Sequence, residues 1–358
     1  MTGLRVGVVG LGEVAQIIHL PNLNDLGQRF EISAVCDVSP GVLKAVAHKY
    51  HVAHVFMDYA EMLRQVPLDV VFVLNANEYH APTALAAMDH GVNVFVEKPL
   101  CMNRREAEAL QEKAQSTGLT LMVGYMRRYD QAFSAALEIV AGWPRIDYAE
   151  IFDIIGSNRL IIDQAAEVFR FNDVPAAFTE ERWARHHAAV ADALGSVPRE
   201  LENAYGMMLG LASHDVSAMR EMLGRPQRVL AAKAWNGGSY FHAMLDFGSY
   251  VGALQIGADE QLRFDAHLLL TSPKETLRLQ YDTPYIRHLP TQLFRDVAAN
   301  EVWTRTKERR SFRDSFVAEL QVLYQAVTER AEVKTSAADF VHDLVLFETL
   351  IQTMKASL

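Results

Sequence analysis

The apolar run Val92-Asn93-Val94-Phe95-Val96 ends not in ordinary turn residues but in Glu97-Lys98-Pro99. In an open parallel sheet, ligands bind beyond the carboxyl ends of the strands, near the point where strand order reverses. A lysine held there shifts its pKa readily, which suits proton transfer or the polarising of a substrate oxygen. On these three residues alone, a solvated loop lysine paired with its neighbouring glutamate is an equally good reading.

A second cluster is Gly10-Leu11-Gly12-Glu13-Val14-Ala15, a G-x-G-x-x-A pattern. It follows the buried-strand pattern Arg5-Val6-Gly7-Val8-Val9, opens a helix over Glu13 to Leu20 and begins a βαβ unit, the context that gives such a pattern meaning. Gly10 permits the tight turn, Gly12 lets a pyrophosphate approach the backbone, and Ala15 lets helix and strand pack closely. The phosphates then lie over the helix N-terminus at Glu13 and Val14. Asp37 ends the second strand where a carboxylate would accept from the adenosine ribose hydroxyls, or else is only a helix-entry aspartate. No arginine stands at 38 or 39 to receive a 2′-phosphate, so NAD is expected in preference to NADP, although Lys44 could reach one.

Asn75, Asn77 and His80 follow the fourth strand and fall on the same sheet edge as Lys98. The asparagines could hold the nicotinamide ribose, and Asn77 could equally be a helix cap. After the last strand of this region come Tyr125, Arg127 and Arg128. An arginine there could contact the cofactor or a substrate oxygen and Tyr125 could stack on a ring; the alternative is a surface ion pair with Asp130. His186-His187 lies in an exposed helical pattern with no third ligand at a convincing spacing, so no metal is expected.

The elements that must position these residues change character along the chain. Up to about residue 125, strand and helix signals alternate: strands at Arg5–Val9, Phe30–Cys36, Val70–Leu74, Val92–Val96 and Thr120–Gly124, with helices between them. Ser39 and Pro40 mark a helix start. Continuous apolar strands in this alternation imply a doubly wound parallel sheet, a Rossmann domain over 1–125. Beyond it, Tyr148–Ile155 and five alternating strands between Arg228 and Tyr281 have short connections such as Asp246-Phe247-Gly248-Ser249. Helices are expected at about 132–140, 180–194, 207–223, 312–330 and 337–355. Residues 126–358 therefore read as an α+β domain, an open and mainly antiparallel sheet covered by helices.

At 358 residues two domains are the natural expectation. A formal net charge of −10 argues against nucleic acid or an anionic membrane as partner. The short basic cluster Lys307, Arg309, Arg310 and Arg313 reads as solvated surface. Two cysteines, Cys36 and Cys101, give neither a zinc spacing nor a disulfide framework, and no leader peptide or membrane span is evident, which fits the cytoplasm.

Taken together these motifs resemble the Gfo/Idh/MocA oxidoreductases. The residues that carry the resemblance are the fingerprint, His19-Leu20-Pro21, Asn75-Ala76-Asn77 with His80, the stretch from Gly91 to Leu100, Gly124-Tyr125-Met126-Arg127-Arg128-Tyr129, and His214-Asp215. The resemblance implies reversible NAD(P)-linked oxidation of a secondary hydroxyl of a sugar, inositol or related polyol, with Lys98 catalytic and with Pro99 following a cis bond. It also implies a homodimer or homotetramer built through the second domain's sheet. Asn158, Asp163 and Gln164 are then candidates for binding sugar hydroxyls, with Trp183, Trp235 or Tyr240 as an aromatic platform, though Trp235 reads rather as core.

Oxidising an alcohol also requires a proton acceptor, and a neutral imidazole suits that task near pH 7. The family pattern is roughly Asp-x-x-x-His-x-x-Asp. This chain keeps His214 but has Gly210 and Ser217 at the acid positions, and Asp215 points in another direction from its neighbour on a helix. His214 is therefore read as the base, against a structural histidine that would leave Lys98 as the acid/base group. Two rival classes remain: a nucleotide-binding sensor or scaffold without turnover, and an enzyme coupling sugar oxidation to elimination with the cofactor recycled in place.

Overall fold

The computed structural model describes residues 3–357. Two compact units are present. The first comprises the chain up to Gly124 together with Ala166–Gly195 and Glu319–Leu344; the second comprises Tyr125–Ala165, Ser196–Ala318 and the chain from Val345. The first unit is thus wider than the expected 1–125, because two later segments return to it. Side-chain and backbone hydrogen bonds tie them in: Gln16 exchanges two with Phe169, and the Val123 N–H donates to the Thr335 carbonyl at 2.8 Å.

The first unit is a six-stranded parallel sheet in the order β3-β2-β1-β4-β5-β6, with β1 Leu4–Val9, β2 Phe30–Cys36, β3 His54–Phe56, β4 Val70–Val73, β5 Asn93–Glu97 and β6 Leu121–Gly124. Strand order reverses between β1 and β4, as in other doubly wound sheets. Val70 to Val73 and Val94 to Val96 are fully buried, which only a sheet covered on both faces allows. Phe72 and Phe95 pack at 4.8 Å between ring centres, each removal from water worth about 1.5–3 kcal/mol.

The first helix begins with a π turn over Ala15–His19 and continues as α1 (Leu20–Asp25). Next come α2 (Pro40–Tyr50), capped by Ser39 with Pro40 at its first position, and α3 (Tyr59–Gln65), capped by Asp58. The last two of the contiguous stretch are α4 (His80–Asp89) and α5 (Arg104–Thr117). Asn103 caps α5 by accepting the Glu106 N–H at 2.9 Å, while the Glu106 carboxylate reaches back to the Met102 N–H at 3.0 Å.

The second unit begins with α6 (Gln131–Ala141), β7 (Tyr148–Ile155) and α7 (Arg159–Ala165). After α8 (Ala176–Leu194), which belongs to the first unit, come α9 (Arg199–Met207), a π turn over Met208–Ala212 and α10 (Ser213–Leu223). Seven further strands complete an eight-stranded sheet: β8 Arg228–Trp235, β9 Tyr240–Asp246, β10 Val251–Ala258, β11 Phe264–Thr271, β12 Glu275–Tyr281, β13 Gln292–Ala299 and β14 Val302–Glu308. Its order is β14-β13-β12-β11-β7-β10-β9-β8, and only β7 and β10 run parallel. The turn between β9 and β10 has Gly248 at φ 88°, with the Asp246 carboxylate accepting the Gly248 N–H. The chain closes with α11 (Ser315–Glu329) and α12 (Ala337–Ala356).

Helix α9 and the hairpin β13–β14 were not expected from the sequence. Along β14 almost every side chain is exposed, so no apolar face marks the strand, and its turn rests on Asn300 and Glu301 at positive φ. No helix among the described residues is long and apolar enough to cross a membrane, and none of their side chains forms a cluster of three or more metal ligands.

Candidate dinucleotide site

Strand register brings the sequence motifs to one edge of the parallel sheet. Val9 pairs with Cys36 on one side and Val73 on the other, Val73 pairs with Val96, and Glu97 pairs with Gly124. The residues that follow, Gly10, Asp37, Leu74-Asn75 and Lys98, therefore emerge in one row at the carboxyl ends. Gly10 sits at φ 92°, and a Cβ there would fall 2.4 Å from the Asn75 nitrogen, so only glycine lets the loops after β1 and β4 touch. Gly12 differs: a Cβ would meet nothing within 4 Å. The space beside its backbone is open, which is what close approach by a pyrophosphate requires.

Asp37 is fixed in place by two backbone donors, the Leu11 N–H at 2.7 Å and the Ser39 N–H at 2.8 Å. Burial pushes its carboxyl up, the two N–H donors pull the other way, and the nearby Asp173 charge adds to the rise. The Glu13 side chain is engaged by Arg170 at 2.7 Å, so of Glu13 and Val14 only the backbone N–H groups are suited to a phosphate.

The Glu97-Lys98-Pro99 turn is built from below. The Glu97 carboxylate receives the His19 ring nitrogen at 2.7 Å on one oxygen and the Lys98 N–H at 3.0 Å on the other. Burial opposes ionisation of Glu97, but these donors and the charge of Lys98 together hold its carboxyl below the usual range. His19 itself packs edge-on against Phe72 and Phe95. The Lys98–Pro99 peptide is cis. His80 sits between the Pro99 carbonyl at 2.6 Å and the Asn75 carbonyl at 3.0 Å, bridging the loops after β4 and β5. Burial pushes the His80 pKa down against the pull of the two carbonyls. Glu97 and His80, both expected at the cofactor, are 8% and 1% exposed and act as braces under the half-buried Lys98.

Asn75 donates to the Thr83 hydroxyl at 3.1 Å. Asn77 opens a short 3₁₀ turn whose cap position is Ala76, so it is not the cap. Within that turn Glu78 binds His186 at 2.9 Å and Arg182 at 3.3 Å, which gives His186 of α8 a structural contact.

In the second unit Tyr125 is buried, 1% exposed. Both arginines are buried rather than on a surface. Arg127 donates to Asp153 at 3.0 Å and Asp215 at 2.5 Å, all three buried, with its guanidinium 4.4 Å over the Tyr281 ring. Arg128 donates to Glu221 at 2.5 Å. Asp130 caps α6 and accepts from the Thr291 hydroxyl at 2.8 Å. Burial drives the Asp215 carboxyl up despite Arg127, and the neighbouring Asp153 pushes it further. His214 lies on α10 beside Asp215, with the Ser217 hydroxyl donating to its carbonyl at 3.1 Å. A Cβ at Gly210, in the π turn before α10, would meet nothing within 4 Å.

Asp163 pairs with Arg159 at 2.7 Å on an exposed turn of α7, Trp235 stacks on Tyr240 at 5.6 Å, and Trp183 is 53% exposed on α8. Local spacing could not have revealed Gln16, Asp153 or Asp173, whose partners lie far along the chain; His19 was visible only through the resemblance.

Residues 4–125 match the oxidoreductase family with an NAD-binding Rossmann fold, Gfo/Idh/MocA. This domain belongs to that family. Inositol 2-dehydrogenase of Salmonella typhimurium is 32% identical over 139 residues, 38% of this chain and 41% of that protein. The scyllo-inositol 2-dehydrogenase (NAD(+)) of Bacillus subtilis is 30% identical over 168 residues, 47% of each chain. The chain thus matches less than half the length of these curated relatives. Scyllo-inositol dehydrogenase from Lactobacillus casei, solved with NAD(H) and scyllo-inositol bound, superposes over 99% of this chain and 98% of its own with a TM-score of 0.73 at 19% identity. The likeness extends the shared fold beyond the Gfo/Idh/MocA domain to both units.

Proposed function

We propose that the protein is an NAD-dependent oxidoreductase that reversibly oxidises a secondary hydroxyl of a sugar, inositol or related polyol, with Lys98 and His214 as its acid/base groups. One observation carries the reading most directly: the Glu97-Lys98-cis-Pro99 turn shares a strand-end row with Gly10, the open face of Gly12 and Asp37 in a domain of the Gfo/Idh/MocA family. The dinucleotide supplies the hydride acceptor. The Gly12 backbone and first helical N–H groups would hold its pyrophosphate, and Asp37 its adenosine ribose. Lys98, on a turn fixed by His19, Glu97 and His80, would polarise the substrate oxygen and exchange its proton. The inositol substrates of the relatives supply the substrate class. Assembly as a homodimer or homotetramer through the second unit's sheet accords with its exposed apolar residues Leu230 and Met244.

The test is Lys98→Ala. NADH formation from a panel of inositols and sugar alcohols should fall by about 10²-fold or more, the usual worth of a positioned acid/base group, while NADH binding and thermal unfolding persist. Retention of most of the rate would remove Lys98 from the chemistry. A second reading, a nucleotide-binding sensor without turnover, is favoured by Gly210 and Ser217 at the acid positions. It predicts NADH binding by the wild type with no product on any member of the panel.

A further inference from the structure

Asp173 is distant in sequence from the fingerprint, yet its carboxylate is seated on the loop that follows β2. The Ser39 hydroxyl donates to one oxygen and the Gly41 N–H donates to the other at 2.7 Å. Ser39 is 3% exposed, and its hydroxyl also accepts the Val42 N–H as the cap of α2.

A short strap holds Asp173 there. The Phe169 N–H donates to Gln16 Oε1 at 2.8 Å and Gln16 Nε2 returns a bond to the Phe169 carbonyl at 3.0 Å. Arg170 pairs with Glu13 at 2.7 Å. The Phe171 ring lies so close over Gly41 that a Cβ at 41 would come within 2.4 Å of it. Residues 169–173 therefore grip the start of the first helix at Glu13 and Gln16 and the start of α2 at Ser39 and Gly41. These are the two sides of the adenosine end of a Rossmann site.

The start of a helix, a hydroxyl and a glycine N–H together make a seat for an anion. In dinucleotide domains the loop after the second strand decides whether the adenosine 2′ position carries a hydroxyl or a phosphate. Here the anion seat is already filled by the chain's own carboxylate, beside Asp37. We propose that Asp173 is a cofactor-specificity determinant: by filling the Ser39–Gly41 seat it excludes the 2′-phosphate of NADP, so that preference for NAD rests on two carboxylates. A 2′-phosphate would have to displace Asp173 from both donors or lie against it, charge to like charge. The inference rests on the dinucleotide occupying this edge, as proposed above.

Dissociation constants for NADH and NADPH, read from nicotinamide fluorescence, test it in the full chain. Asp173→Ala and Asp173→Asn are each made with Asp37 intact and with Asp37→Asn. Asp173→Ala should raise the ratio of NADPH to NADH affinity by about tenfold or more in at least one background, as expected when a like charge is removed. Asp173→Asn, which keeps the shape and loses the charge, should move the ratio the same way and decides the matter if the alanine variant does not fold. An unchanged ratio in both backgrounds, with NADH still bound, makes Asp173 a helix cap alone and overturns the proposal. A wild type that binds neither nucleotide would instead overturn the placing of the cofactor at this edge.

Discussion

Gly10 and Gly12 look alike in the fingerprint, but the structure gives them different reasons to be glycine. Gly10 has a backbone conformation that side chains rarely adopt and no room for a Cβ against the Asn75 backbone. Gly10→Ala should cost about 2–4 kcal/mol of stability through strain and clash, read by urea unfolding without ligand. At Gly12 a methyl group meets no protein atom, so Gly12→Ala should unfold within about 0.5 kcal/mol of wild type. Its loss should appear only with ligand: saturating NADH raises the melting temperature of a protein that binds it, and Gly12→Ala should lose most of that rise. An equal rise in both proteins would mean that no pyrophosphate approaches Gly12. The residues of this row were legible because each stands one step beyond a strand whose apolar run marks its end. Asp37, Lys98 and Gly10 follow from spacing within single βα units. Glu97 and His80 were also found, but the sequence could not tell a ligand-facing polar group from one turned inward to His19 or to two carbonyls.

At the scale of elements, Arg127 illustrates what local pattern misses. It stands on the 3₁₀ turn Met126–Tyr129 and joins that turn to β7 through Asp153 and to α10 through Asp215. The sequence offered it the cofactor, a substrate oxygen or a surface pair with Asp130 three residues on, whereas two of its partners are 26 and 88 residues away. Removing it would leave two acids buried without their cation, so Arg127→Met should cost about 3–5 kcal/mol in urea unfolding. Breaking the exposed Arg305–Asp296 pair of the β13–β14 hairpin with Arg305→Ala should change little by comparison. Equal and small effects would show that the buried network is already satisfied without the arginine. Because α10 also carries His214, the same anchor fixes the backbone of the proposed base. The hairpin itself escaped notice for the opposite reason: exposed on nearly every residue, β14 has no apolar alternation to read.

At the scale of the whole molecule, the parallel sheet and the antiparallel sheet were both legible, since continuous and alternating apolar strands distinguish them. The return of 166–195 and 319–344 to the first unit was not, because Gln16 with Phe169 and Val123 with Thr335 are pairings that no local pattern announces. Such long-range burial also sets how the chain responds to pH. Burial raises the carboxyls of Asp37, Glu106, Asp130 and Asp215, whereas Glu97 is held low against burial by His19 and Lys98, and Asp69 by its hydrogen bond with Arg5. For a raised carboxyl the native state holds its proton to higher pH than the unfolded chain does. Its contribution is fully present below the unfolded pKa and is lost as pH rises through the folded one. The lowered carboxyls act oppositely, contributing above their unfolded pKa and losing that contribution as pH falls through the folded value. Stability should therefore increase as pH is lowered from about 7 toward about 5, where the raised group is still taking up protons, and decline below about 4 as Glu97 and Asp69 protonate. The net charge of −10 works in the same direction over the upper range, through self-repulsion. Asp215→Asn separates the two causes, since the amide fills the same space and cannot ionise. Urea unfolding at several pH values between about 5 and about 7 should give a shallower slope for Asp215→Asn than for wild type. Parallel slopes would mean that Arg127 keeps Asp215 charged throughout this range and that the pH dependence comes from the other carboxyls and the net charge.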